Sequence, residues 1–178
     1  MAGDRPSEDS LPIDVLDAEA LLATLVDHRV DFVVIGGLSL AAHGLVRATK
    51  DLDVVPDPDP ANLARLADAL NDLRAEVLLA ADFDPRELGI APDADGLALG
   101  GNWVLRTRVG RLDVMQDVAG VRGYPQLAAG AVDFEHPAAG RLRFAGLDDV
   151  IAMKSAAGRP QDLLDLQRLE ALRDAGPF

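Results

Sequence analysis

Phe32-Val33-Val34-Ile35-Gly36-Gly37-Leu38-Ser39-Leu40-Ala41-Ala42-His43-Gly44 runs on into Leu45-Val46-Arg47-Ala48-Thr49-Lys50-Asp51-Leu52-Asp53-Val54-Val55, and the fold turns on this stretch. Four consecutive apolar residues stopped by two glycines read as a short strand buried on both faces. Leu38–His43 reads as a short helix with Gly44 at its C-cap. Asp51–Val55 is a second strand, ended by Pro56, Pro58 and Pro60. Residues two apart on a strand share a face, so Leu52 and Val54 take the core side and Asp51 and Asp53 the other.

Aspartate is abundant here, with 24 Asp and 6 Glu, so an acidic pair alone says little. Asp-x-Asp occurs at 51/53, 57/59, 82/84 and 93/95. The last three sit beside proline or glycine, where Asp makes turns. Only Asp51 and Asp53 fall in a strand-like segment. Arg111-Leu112-Asp113-Val114-Met115 repeats the alternation, and Asp113 completes a three-carboxylate cluster if its strand neighbours the first.

Two readings fit these carboxylates. They are solvated strand-face aspartates, or they are hard oxygen ligands for Mg²⁺ or Mn²⁺. Two such ions roughly 3.5–4 Å apart clamp an in-line phosphoryl displacement. Gly36-Gly37 favours the second reading. Backbone N–H groups at a strand-to-helix junction form an anion site, and glycine lets phosphate approach. Gly-Gly also makes plain tight turns, and this one is neither a Walker loop nor a dinucleotide fingerprint.

Working outward, Leu16–Val30 and Ala61–Leu73 carry helical apolar spacing, and Ala75–Ala80 reads as a strand. Asp82–Gly101 reads as a loop. Asn102–Arg108 and Arg111–Gln116 read as a hairpin around Gly110. Tyr124–Ala129 is a short helix, Val132–His136 and Leu142–Phe144 are short strands, and Leu147–Ala157 and Pro160–Arg173 are closing helices. The fold class expected is α/β (α+β): a mixed β-sheet flanked by helices, with helices at the C-terminal end. Residues 1–12 read as a disordered acidic tail and 13–178 as a single domain.

The chain has 17 Lys+Arg against 30 Asp+Glu, a net charge of −13. That charge excludes attachment to DNA or an anionic membrane by bulk electrostatics. With no cysteine there are no disulfides, thiolate zinc sites or cysteine nucleophiles. The most apolar stretch, Phe32–Ala42, is too short to span a bilayer. The expectation is a cytoplasmic protein with no membrane partner and no bulk DNA binding.

An apolar strand, Gly-Gly, an Asp-x-Asp strand about ten residues on and a third carboxylate on a later strand resemble the nucleotidyltransferase superfamily, the polymerase-beta-like fold. Gly36-Gly37-Leu38-Ser39-Leu40-Ala41-Ala42-His43-Gly44 and Arg47-Ala48-Thr49-Lys50-Asp51-Leu52-Asp53 more narrowly resemble the bacterial branch of AbiEii-type nucleotidyltransferases of type IV toxin–antitoxin systems. So does the later block Leu147–Asp162, which carries Lys154.

The resemblance implies that Asp51, Asp53 and Asp113 are catalytic and hold Mg²⁺ (or Mn²⁺), with Asp113 helping to deprotonate an acceptor hydroxyl. It implies a nucleoside triphosphate bound by Gly36, Gly37, Ser39, Arg47, Thr49 and Lys154. A nucleoside monophosphate would pass to a small molecule, tRNA or protein, and an antitoxin would be a partner. The alternative within the same fold is a catalytically silent nucleotide-binding or regulatory module.

Several residues carry a structural reading beside the functional one. Lys154, one of two lysines, either reaches phosphate or snorkels at a helix edge. Ser39 binds phosphate or caps the helix. Arg47 meets phosphate or acceptor, or pairs with an Asp. His43 reads as a satisfied, half-buried histidine, Lys50 as solvent-facing, and Arg159–Asp165 as an ion pair. Trp103 and Tyr124 read as core packing before base stacking. Arg106, Arg108 and Arg111 form a basic stripe near Asp113, either a nucleic-acid or nucleotide contact or a solvated strand face.

Overall fold

The computed structural model describes residues 15–78, 89–137 and 139–175. The expected acidic tail, Leu79–Ala80 of the expected third strand and the Asp82/Asp84 pair lie outside them. In chain order the elements are α1 (Ala18–Asp27), β1 (Phe32–Ile35), α2 (Gly36–Ala42), β2 (Asp51–Pro56), α3 (Pro60–Asp72), β3 (Glu76–Val77) and α4 (Ala94–Ala98). The hairpin β4 (Asn102–Thr107) and β5 (Gly110–Met115) follows. Then come α5 (Tyr124–Gly130), β6 (Val132–His136), β7 (Gly140–Phe144), α6 (Leu147–Ala157) and α7 (Pro160–Ala175).

The strands form one seven-stranded mixed sheet in the order β3-β4-β5-β2-β1-β7-β6. β1 runs antiparallel to β2 and parallel to β7, while β2 runs parallel to β5. All four residues of β1 are buried because helices cover both faces of the sheet at its centre. Phe32 and Val34 join Leu52, Val54, Leu112 and Val114 under α1 and α3. Val33 and Ile35 face the other way, against α2, α6 and α7 through Leu40, Val150, Ile151, Met153 and Leu169. Burying so many aliphatic side chains, at about 1.5–3 kcal/mol each, drives the two layers onto the sheet.

Local sequence sets the helix starts. Asp17 accepts from the Ala20 N–H at 2.9 Å, and Asp59, one residue before Pro60, accepts from the N–H groups of Ala61 and Asn62. α2 ends in a Schellman turn: Gly44, at φ +81°, donates to the Ala41 carbonyl and Leu45 to that of Leu40. The helix starts at Gly36 rather than Leu38, so the two glycines form its first turn.

The segment read as loop over Asp82–Gly101 contains α4. Asp93 accepts from the Gly96 N–H at 2.8 Å and Leu97 is fully buried, so one cap and one anchor suffice for a helix too short to show a period. No helix among the described residues is long and apolar enough to cross a membrane.

Candidate active site

Strand pairing brings the carboxylates together. β2 and β5 lie parallel with Asp51 opposite Arg111, Leu52 opposite Leu112 and Asp53 opposite Asp113. Leu52 and Leu112 are fully buried under α1 and α3. Asp51, Asp53, Arg111 and Asp113 therefore share the opposite face, in adjacent strands about 4.8 Å apart. β1 ends beside them, with Ile35 opposite Asp53. Gly36 follows at φ +64°, and a β-carbon there would overlap Asp53 Oδ2. A β-carbon at Gly37 would lie 2.8 Å from Thr49 Oγ1. Both glycines are needed for this close approach.

These groups line a cavity of about 620 Å³ between the sheet and α6 and α7. Gly36, Gly37, Arg47, Thr49, Asp51, Asp53, Asp113 and Lys154 all open onto it. Thr49 Oγ1 donates to the Asp51 carbonyl at 3.0 Å. Ser39 does not reach the cavity: it is fully buried and its hydroxyl donates to the Gly36 carbonyl at 2.8 Å, bracing the glycine turn from behind. Ile35, Met115, Val118, Val150 and Met153 make the cavity's apolar wall.

On the far wall Lys154 is buried, with 7% of its surface exposed. Its ammonium donates to Asp162 Oδ1 at 2.7 Å and lies 2.9 Å from Asp165 Oδ2. Asp162 and Asp165 are themselves 2% and 3% exposed. Arg159 Nε donates to Asp162 Oδ2 at 2.7 Å, so the expected Arg159–Asp165 pair is off by one helical turn. Arg47 is the second cation near Asp165, at 3.9 Å. The stem of Lys154 does not merely snorkel; its charge neutralises two buried carboxylates.

The expected basic stripe divides. Arg106 binds Glu76 at 2.7 Å and Arg108 donates to the Asp72 carbonyl at 3.3 Å. Arg111 alone of the three lines the cavity, gripping Asp113 with Nε to Oδ1 and Nη2 to Oδ2, both at 3.0 Å. Trp103 packs on the core beneath α1 and α3, and the Tyr124 hydroxyl accepts from Arg143 at 2.9 Å. His43 Nε2 lies 2.8 Å from the Ala145 carbonyl, and Lys50 is exposed. Arg159, not among the candidates from sequence, also lines the cavity. Its only local signal is a cation just after the Gly158 helix stop.

Burial pushes the Asp53 carboxyl up to about 6, and the charges of Asp51 and Asp113 add to it. Arg111 and Arg159 pull it partly back. Burial also pushes Asp162 up, but hydrogen bonds from Lys154 and Arg159 outweigh it and leave that carboxyl below its ordinary value. Asp53 is thus short of positive charge, while Asp162 is well supplied.

A divalent cation suits the strand-face set. The donors are hard oxygens, and the glycine gap against Asp53 leaves room for a group that a side chain would fill. Asp51 and Asp53 would hold it. No three His, Cys, Asp or Glu side chains among the described residues stand gathered as a ready metal cluster. Both oxygens of Asp113 are engaged by Arg111.

Gly36→Ala is expected to disrupt this corner. The left-handed backbone alone costs a β-carbon about 1–2 kcal/mol, and the overlap displaces Asp53 as well. A lowered melting temperature is the expected result.

A glycine turn at a helix start, packed against paired strand carboxylates at the edge of a cavity, defines the class: a nucleotidyltransferase fold. The chain belongs to the family described as nucleotidyl transferase AbiEii toxin, type IV TA system, whose model matches residues 20–176. It is an enzyme of nucleotidyl transfer. Its fold is similar to the lincosamide antibiotic adenylyltransferase LnuA, solved with lincomycin bound, at TM-score 0.58 and 11% identity over 89% of this chain and 99% of that one. It is also similar to the antibiotic-resistance factor ANT(2'')-Ia, at TM-score 0.52 and 13% identity over 89% of this chain and 90% of that one. The same factor in complex with adenylyl-2''-tobramycin gives TM-score 0.50 and 14% identity, over 87% and 91% of the two chains. No curated protein matches at a significant level.

Proposed function

We propose that this chain transfers a nucleoside monophosphate from a nucleoside triphosphate to an acceptor hydroxyl, with Mg²⁺ or Mn²⁺ held by Asp51 and Asp53. The observation that carries the reading is the register of β2 on β5, which sets Asp53 beside Asp113 and opposite the Gly36 turn. When bound, the cation would offset charge on the triphosphate oxygens and lower the pKa of an attacking hydroxyl. Gly36 and Gly37 let the backbone approach the triphosphate. Arg47, Thr49 and Lys154 line its path, and Arg159 meets its tail. Asp113 takes the acceptor's proton. The acceptor oxygen bonds to the α-phosphorus as the bond from that phosphorus to the β-bridging oxygen breaks, and pyrophosphate leaves.

A small-molecule acceptor is favoured over tRNA. The net charge is −13, and each cation lining the cavity, Arg47, Arg111, Lys154 and Arg159, already faces a carboxylate. The site therefore offers no free basic track for a polyanion. Of the neighbours that share the fold, LnuA is a lincosamide antibiotic adenylyltransferase solved with lincomycin, and ANT(2'')-Ia was solved with adenylyl-2''-tobramycin, both small-molecule complexes. The same proposal extends to a toxin role with an antitoxin partner, which the family description supports, and to a cytoplasmic location.

Incubation with each α-labelled triphosphate, Mg²⁺ and a cell extract is expected to move label to an acceptor with one pyrophosphate per transfer. Asp51→Asn should stop both. Nucleotide binding that raises the melting temperature without any pyrophosphate release would instead favour the silent module. Arg159 is the most exposed cation on the cavity wall, at 75% for the side chain. Arg159→Ala is expected to raise KM for the triphosphate about tenfold and to leave kcat within a few-fold, as for a charge-assisted contact to a distal phosphate. Steady-state pyrophosphate release reads this directly.

A further inference from the structure

Arg111 does more than decorate the strand. It lies two residues before Asp113 on β5, directly opposite Asp51 on β2. Its planar fork meets both oxygens of Asp113 at 3.0 Å, while Nε lies 3.9 Å from Asp51 Oδ2. The guanidinium therefore stands between the Asp51 and Asp113 carboxylates. Asp113 is almost enclosed, with a side chain 10% exposed, whereas Arg111 is 44% exposed and lines the cavity. A bidentate arginine engages both oxygens of a carboxylate in a way that a point charge does not.

We propose that Arg111 is a positioning residue that sequesters Asp113 and competes with the divalent cation for it, so that the third carboxylate is released only when cation and triphosphate have entered the cavity. The proposal rests on the metal-dependent reading above. The physical drive has two parts. A cation held by Asp51 and Asp53 would repel the guanidinium, and a bound triphosphate would offer it another anion. Before that, both Asp113 oxygens are engaged by the guanidinium, which opposes proton uptake and metal ligation there. The device keeps the base masked in an enzyme that has not yet loaded its nucleotide.

The test is Mn²⁺ binding to the nucleotide-free protein, followed by the electron paramagnetic resonance signal of free Mn²⁺, so that it does not depend on turnover. Arg111→Gln is expected to bind Mn²⁺ about five- to tenfold more tightly than wild type, the range set by loss of one charge-assisted pair. Arg111→Lys keeps the charge but not the fork, and is expected to lie nearer to Arg111→Gln than to wild type. Adding Asp113→Asn to Arg111→Gln should cancel the gain.

Arg159→Gln controls for the field alone, since Arg159 also acts on Asp53 but does not grip Asp113. Wild-type binding left unchanged by Arg111→Gln overturns the sequestration and leaves the metal-dependent reading standing. Equal tightening in Arg159→Gln and Arg111→Gln, with Arg111→Lys like wild type, overturns it in favour of a general field. Absence of Mn²⁺ binding by every form overturns both. Melting curves for each variant confirm that the folded protein is being titrated.

Discussion

Replacing Asp53 with Asn is expected to lower nucleotide transfer by about 10³-fold or more while making the metal-free protein more stable. The two effects share a cause. Asp53 sits under Gly36 and beside two other carboxylates, and burial, then Asp51, then Asp113, lift its carboxyl to about 6. Its folded value thus lies above the unfolded one of 3.8. The stabilising contribution is full below about pH 4 and disappears as pH rises through about 6. At pH 7.5 without metal the ionised form strains the fold, by about 1–2 kcal/mol after allowing for solvent screening.

Asn fits the same space without the charge, so its melting temperature at pH 7.5 should rise by about 3–6 °C. At pH 4 the two proteins should melt together. Mg²⁺ should narrow the gap at pH 7.5 by stabilising wild type alone. Melting curves at the two pH values, with and without chelator, read all three outcomes. Equal melting at pH 7.5 in chelator would show that Asp53 is not held under charge strain.

The elements that make this corner are local, and so they are legible. Val33-Val34-Ile35 before Gly36-Gly37 and the alternation in Asp51–Val55 each fix a strand and its faces without tertiary information. The position of Asp113 was legible only conditionally. Its strand alternates as expected, but its place beside β2 depends on a parallel pairing across the whole segment from α3 to β4. Nothing in a residue's neighbours encodes such a long-range pairing.

Partner choice among like residues is harder still. Asp162 and Asp165 visibly share a helix face, but which of them takes Arg159 depends on how α7 lies on α6, and Lys154 settles it by occupying both carboxylates from below. Arg106, Arg108 and Arg111 look alike in sequence. Glu76 on β3 and the end of α3 claim the first two, leaving only Arg111 for the site. Ser39 reads as a phosphate ligand from its place after the glycines, yet a helix that starts at Gly36 turns that position inward.

Lys154→Met is expected to destabilise the protein by about 3–5 kcal/mol, the cost of leaving buried charge without its partner. Removing the ammonium strands Asp165 with Arg47 at 3.9 Å as its nearest cation, and leaves Asp162 to Arg159 alone. Methionine fills the stem's volume, so the loss is electrostatic rather than a cavity. The melting temperature should fall by about 10 °C at pH 7.5.

Acid separates this from a packing defect. In wild type Asp162 is held below its ordinary value, so its contribution is present at neutral pH and is lost as pH falls through the acid range. In the variant the stranded carboxylates rise instead and regain stability by taking up protons. The difference between the two proteins should therefore shrink toward pH 4, whereas a cavity penalty would persist. Adding Asp162→Asn and Asp165→Asn should restore much of the loss, since a network without charges needs no counter-ion. That neutral triple variant also isolates what the ammonium does for nucleotide. With the fold restored, a remaining rise in KM for the triphosphate measures the contact of Lys154 with phosphate, and an unchanged KM assigns Lys154 to holding α7 on α6.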